Sequence, residues 1–175
     1  RKPTGGSTLV VVIGTDIEDG GLVPWNIVQG NLSELGARDA VFIDKTYLEE
    51  LGVKGVGDTA QVGASRIRVA GLTEGIRSFT VTPYVFTTLS RARSLIDMPS
   101  DKITYVLAKV APGADIDQVA DAIRKKVPDS EVLTKPEFRN RSLNHWLFAP
   151  GAGVALIGGA VLGLVVGTVI VAQTL

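Results

Sequence analysis

Residues 148–175, FAPGAGVALIGGAVLGLVVGTVIVAQTL, carry no formally charged side chain. Within residues 151–172 the only polar side chain is Thr168. At 1.5 Å per residue those 22 residues make a helix about 33 Å long, which matches a hydrocarbon core of roughly 30 Å. A core helix of a soluble domain rarely needs so long an apolar run, so the segment reads as a membrane span. Thr168 can return its hydroxyl to a carbonyl one turn back. Trp146 stands where an interfacial aromatic belongs, and Pro150 stands at the helix start, where a missing N–H does no harm.

Ala155, Gly159, Gly163 and Gly167 recur every fourth residue in this run. On a helix they form one stripe of small residues, a doubled GxxxG pattern. In lipid such a stripe lets another helix approach closely and gain dispersion contacts. Glycine is also common in membrane helices generally. A lone anchor has no need of a smooth face, so the stripe is expected to be a helix-packing face. Lys135, Arg139 and Arg141 lie just upstream, and a bare positive-inside count would put the preceding body in the cytoplasm. That rule is weak for long translocated domains and does not decide orientation here. The chain starts at Arg1 and stops soon after the apolar run, and we read it as an interior piece of a larger membrane protein.

The 18 Lys and Arg and the 18 Asp and Glu all lie before Ser142, and they balance to zero net charge. The chain is therefore a charged body followed by an uncharged tail. Nothing in it offers the basic surface that nucleic acid requires. The absence of cysteine removes disulfides, thiolate nucleophiles and cysteine-based zinc sites. His145, the only histidine, adjoins Trp146 and is expected to be an interfacial, hydrogen-bonded side chain rather than a triad base. Counting a calcium loop from Asp16 places Gly21 correctly at position 6. Position 5 is then Gly20 and position 12 is Ile27, neither of which supplies a side-chain oxygen, so Asp16, Glu18 and Asp19 read as a solvated loop. Residues 55–60, GVGDTA, look like a shortened dinucleotide fingerprint, but they follow a helix end and open a strand, so they read as a turn. No catalytic residue, metal site or cofactor site is expected.

The body reads as α+β. Residues 7–16, STLVVVIGTD, are expected to form a buried strand, and residues 39–44, DAVFID, a second. The stretch between them reads as a loop broken by Gly and Pro. Asp44 is expected to cap a short helix with Tyr47, Leu48 and Leu51 on one face and Gly52 as its C-terminal stop. Two strands should flank a turn within residues 56–75, with Ile67 and Val69 alternating against Arg66 and Arg68. Residues 82–99 should begin extended and turn helical near Thr88, with Leu89, Ala92 and Ile96 inward. KITYVLAKV, residues 102–110, reads as a strand. A helix follows, capped by Asp115 and Gln118, with Ile116, Val119, Ala120, Ile123 and Val127 as its apolar stripe. SEVLT reads as a short last strand, and KPEFRNRSLNHW as a helix with Glu137 and Arg141 paired at i,i+4.

The blocks VVVIGTD, VQGN, AVFIDKTYLEELGV, VGDTAQVGASRIRVAGLTEG, PYVFTTLSRA and the ITYVLAKV-to-KPEF region, ending in a Gly-rich membrane helix, resemble the extracytoplasmic core region of MacB/FtsX-type ABC transporter permeases. WLFAPGAGVALIGGAVLGLVVGTVIVAQTL looks most like the DevC branch. The resemblance covers roughly residues 8–175 and rests on block order rather than on one diagnostic motif. It implies an extracytoplasmic α+β domain over residues 1–144 and, over 145–175, a transmembrane helix, the second of four, that begins the permease domain. It implies the bacterial inner membrane, with residues 1–144 outside the cytoplasm. It also implies a cytoplasmic ABC ATPase subunit, a periplasmic adaptor (membrane-fusion) protein, a permease homodimer and contact with membrane lipid, and no enzymatic activity in this chain. Two other readings remain open: an FtsX-like signalling permease that regulates cell-wall hydrolases, and a single-pass anchored module without transport.

Overall fold

The computed structural model describes residues 6–17, 22–78, 82–148 and 152–174. The chain divides into two compact units, Arg1–Leu107 and Ala108–Leu175. Its architecture is α+β, with a mixed sheet and one long apolar C-terminal helix, as the sequence pattern implies.

The first unit is organised around one strand whose residues are apolar on both faces. β3 (Ala40–Asp44) is buried at all five positions. Around it lie β1 (Val11–Thr15), β2 (Ile27–Gln29), β4 (Thr59–Val62), β5 (Ser65–Thr73) and β6 (Tyr84–Thr88), in the order β1-β6-β3-β5-β2, with β4 also on β5. The β1/β6 and β3/β5 ladders are parallel, and the β3/β6, β2/β5 and β4/β5 ladders antiparallel. Strand alternation separates two cores. Val41 and Ile43 join Ile67, Val69, Leu72 and Val85 on one face. Ala40 and Phe42 join Leu35, Ala70, Ile76 and Phe86 on the other. The β3/β5 register shifts between Val41 and Phe42, which pair with Val69 and Gly71 and leave Ala70 extra. That bulge reverses the alternation, so Leu72 returns to the face of Val69.

The nine-residue β5 succeeds only because Gly71 has no side chain. A Cβ there would overlap the ring of Phe42, which is completely buried. Phe42 has nowhere to move in a closed core. Gly71→Ala is therefore expected to lower unfolding free energy by about 1–3 kcal/mol, the usual cost of overpacking, seen as a reduced Tm of the purified protein. An unchanged Tm would mean that the ring can slide aside.

Asp44 performs the capping that the sequence implies. Its carboxylate accepts from the Thr46 amide at 2.9 Å and from the Ile76 amide at 2.7 Å, and the residue is only 1% exposed. A 3-10 turn at Lys45–Tyr47 leads into α1 (Leu48–Leu51), which ends at Gly52 in the left-handed region, φ 69°. Residues 55–60 form the expected turn into β4. α2 (Leu89–Leu95) is capped by Thr88 and buries Ala92.

Several expectations fail for identifiable reasons. β1 is an edge strand with Val11 exposed rather than a buried one. Three residues of the presumed loop pair with the far end of β5 as β2. Ile96 closes α2 and is 50% exposed, because the helix ends before it can turn inward. Residues 102–110 form no ladder among the described residues, and Ile103, Val106 and Leu107 are exposed. Their pattern favours a strand, but β propensity is set by packing against neighbours, and these side chains lie exposed.

The second unit contains α3 (Ile116–Lys126), α4 (Lys135–Phe148) and α5 (Ala152–Thr174). Asp115 caps α3 by accepting from the Asp117 and Gln118 amides. Ala120 is buried, whereas Ile116 and Val127 at the two ends of the apolar stripe are exposed. Residues 131–134 are irregular rather than a strand.

Candidate functional site

Gly153–Thr174 is long and apolar enough to cross a membrane, and beyond Gly153 its described residues are exposed in this chain. Ala155, Gly159, Gly163 and Gly167 lie at four-residue spacing along α5. A Cβ built on Gly159, Gly163 or Gly167 would meet nothing within 4 Å outside the helix's own backbone. The row is thus an open groove. Its lower part is lined by Gly163, Leu164, Gly167, Thr168, Val171 and Ala172. Thr168 donates its hydroxyl to the Leu164 carbonyl at 2.7 Å, as expected. Its one polar side chain is therefore satisfied inside the helix, and the groove presents an almost wholly apolar surface.

The start of α5 holds a constraint that the stripe does not reveal. A Cβ on Gly153 would collide with the carbonyl and Cα of Leu147, near the end of α4. The backbones of α4 and α5 come together there, and only glycine permits it. Just before this contact, the His145 ring lies edge-on to Trp146 at 5.9 Å between centroids. That aromatic contact stands in place of the expected hydrogen bond.

At its other end α4 begins with a capping box that the sequence reading missed. Thr134 and Glu137 stand in the T-x-x-E spacing that marks one. The Glu137 carboxylate accepts from the Thr134 amide at 2.7 Å, and the Thr134 hydroxyl accepts from the Glu137 amide at 3.5 Å. Pro136 sits in the first turn, where no amide is needed. The Thr134 amide first, and Arg124 after it, hold the Glu137 carboxyl below its ordinary value. Glu137 therefore remains ionised throughout the neutral range.

Arg124 of α3 joins these pieces. Its Nε and Nη2 donate to the Val132 carbonyl at 3.1 and 2.8 Å. Nη1 donates to Asp121 at 2.8 Å, and Nη2 reaches Glu137 Oε1 and Oε2 at 3.2 and 3.0 Å. Arg141 pairs with Glu131. The expected Glu137–Arg141 pair is thus replaced. Glu137 is taken by its own cap and by Arg124, and Arg141 turns to Glu131. Isolated surface ion pairs contribute little, but a planar guanidinium serving three acceptors also fixes geometry.

Asp16 is exposed, and Glu18 and Asp19 lie outside the described residues. Among the described residues no group of three His, Cys, Asp or Glu side chains converges to hold a metal ion.

Comparison with known proteins gives one family. The MacB-like periplasmic core domain matches residues 2–126. No curated protein matches the chain in sequence. Among solved structures, the chain is similar to a domain from Porphyromonas gingivalis described as part of a permease protein. Identity is 12%, the TM-score is 0.40, and the match covers 60% of this chain and 52% of that one. The chain thus spans about half of that domain, and a likeness at this level carries no argument about fold or function.

Proposed function

The chain belongs to the MacB-like periplasmic core domain family, and from that premise we propose that it is part of the permease subunit of an ABC-type export or mechanotransmission system. In this reading residues 1–144 lie outside the cytoplasm of a bacterial inner membrane, and residues 145–175 begin the membrane-embedded part. ATP is hydrolysed by a separate cytoplasmic ABC ATPase, and this chain carries no catalysis of its own. A periplasmic adaptor receives the movement. Two permease copies meet in the lipid, with Ala155, Gly159, Gly163 and Gly167 as a helix-packing face. The resemblance of the ending WLFAPGAGVALIGGAVLGLVVGTVIVAQTL to the DevC branch supports a DevC-like exporter within this class.

The observation that carries the proposal is the anchoring of α4 at both ends. A capping box fixes its start, and the Gly153–Leu147 approach fixes its end against α5. A rigid helix held in this way can deliver displacement of a membrane helix to the extracytoplasmic part. A lone anchor needs neither attachment. Affinity purification of the full-length protein from native membranes is expected to bring down an ABC ATPase together with an adaptor. Recovery with a cell-wall hydrolase in place of the adaptor would move the assignment to the FtsX-like signalling class. Recovery without any ATPase would refute the permease reading.

A further inference from the structure

We propose that Arg124 is a positioning residue that locks α3, residues 131–134 and α4 into one lever, so that movement of α4 is delivered to α3. This inference rests on the coupling reading above and names the device that carries it.

α3 ends at Lys126 and α4 begins at Lys135. The residues between them have no regular structure, and left alone such a connector is a hinge. Direct packing between α3 and α4 is slight. Arg124 closes the hinge from one side. Asp121, one turn back on α3, holds Nη1 and thereby sets the plane of the guanidinium. The same plane then meets the Val132 carbonyl in the connector and the Glu137 carboxylate on α4. Three segments are tied by one rigid group. The Glu131–Arg141 pair joins only the connector to α4 and does not reach α3. Glu137 is already fixed by the cap of α4, so force on α4 passes to Arg124 without a loose joint. Lysine could not replace it, since a single ammonium lacks the fork that reaches all three acceptors.

The test uses the full-length protein, assembled with its ATPase in lipid nanodiscs. These 175 residues contain no cysteine, so in a full-length background with any other cysteines replaced by serine, Gln118→Cys on α3 and Asn144→Cys on α4 accept an environment-sensitive fluorophore at chosen positions. Addition of ATP and vanadate is expected to change the signal at both positions in the otherwise unaltered protein. In Arg124→Met the response at position 118 is lost and that at position 144 persists, which also shows that the variant is folded and still driven. Arg124→Lys behaves like Arg124→Met. Responses that survive at both positions in either variant overturn the lever while leaving coupling intact. No response at either position in the unaltered protein overturns the coupling reading itself, and the lever with it.

Discussion

Replacing Gly159, Gly163 and Gly167 together with leucine is expected to abolish association of the permease helices without unfolding the chain. The two effects separate because of where these glycines lie. A Cβ at any of the three meets nothing in this chain outside its own helix, so the substitution creates no internal clash. Leucine also favours helix over glycine by up to about 1 kcal/mol per position, so α5 itself is strengthened. The cost appears only where another helix uses the groove. There the backbones approach because the side chains are small, and leucine would hold them apart and remove the dispersion contacts. Native gel electrophoresis of membranes solubilised in mild detergent is the measurement. The triple variant should migrate as an unassembled subunit, whereas Val161→Leu with Val165→Leu, on the opposite face of α5, should not. Normal assembly of the triple variant would return the stripe to the status of ordinary membrane-helix glycine.

Much of this arrangement is legible in the sequence because it depends on local chemistry. The uncharged run after Arg141 specifies α5 by length alone. Asp44 and Asp115 announce their helices because a carboxylate at that place satisfies amides that the helix cannot. The Ile67/Val69 alternation defines β5 up to the bulge, where Ala70 is inserted and the period breaks. What escapes the sequence depends on distant partners. β2 is three residues long and exists only because the end of β5 offers an edge. Residues 102–110 have the composition of a strand, yet they join no ladder among the described residues.

The candidate site divides in the same way. The small-residue stripe follows directly from four-residue spacing. The partner of Glu137 does not. The i,i+4 rule selects Arg141, but the Thr134 amide lies closer in the chain, and Arg124 arrives through the turn between α3 and α4. The Thr134–Glu137 spacing was a usable signal for the cap. Nothing local distinguishes Arg124 from Lys125 and Lys126 beside it. Gly153 is likewise hidden among the glycines of the run, and only the proximity of Leu147 sets it apart.

The second large effect concerns the start of α4. A Gly/Ser stretch inserted after Thr134 moves Glu137 out of capping distance, deprives the Thr134 amide of its acceptor and carries the carboxylate away from Arg124. It also puts a flexible joint where a helix had been held at both ends. The insertion lies outside the span of α5, and hydrolysis is assigned to a separate subunit, so the engine should keep running.

That variant provides the most direct measurement of mechanical coupling. The full-length protein carrying the insertion is expressed in its deletion strain, and vanadate-sensitive ATPase activity is measured in the purified complex alongside rescue of the strain's export phenotype. Coupling through α4 predicts ATPase activity near that of the unaltered complex together with loss of rescue. Full rescue by the insertion variant would contradict it.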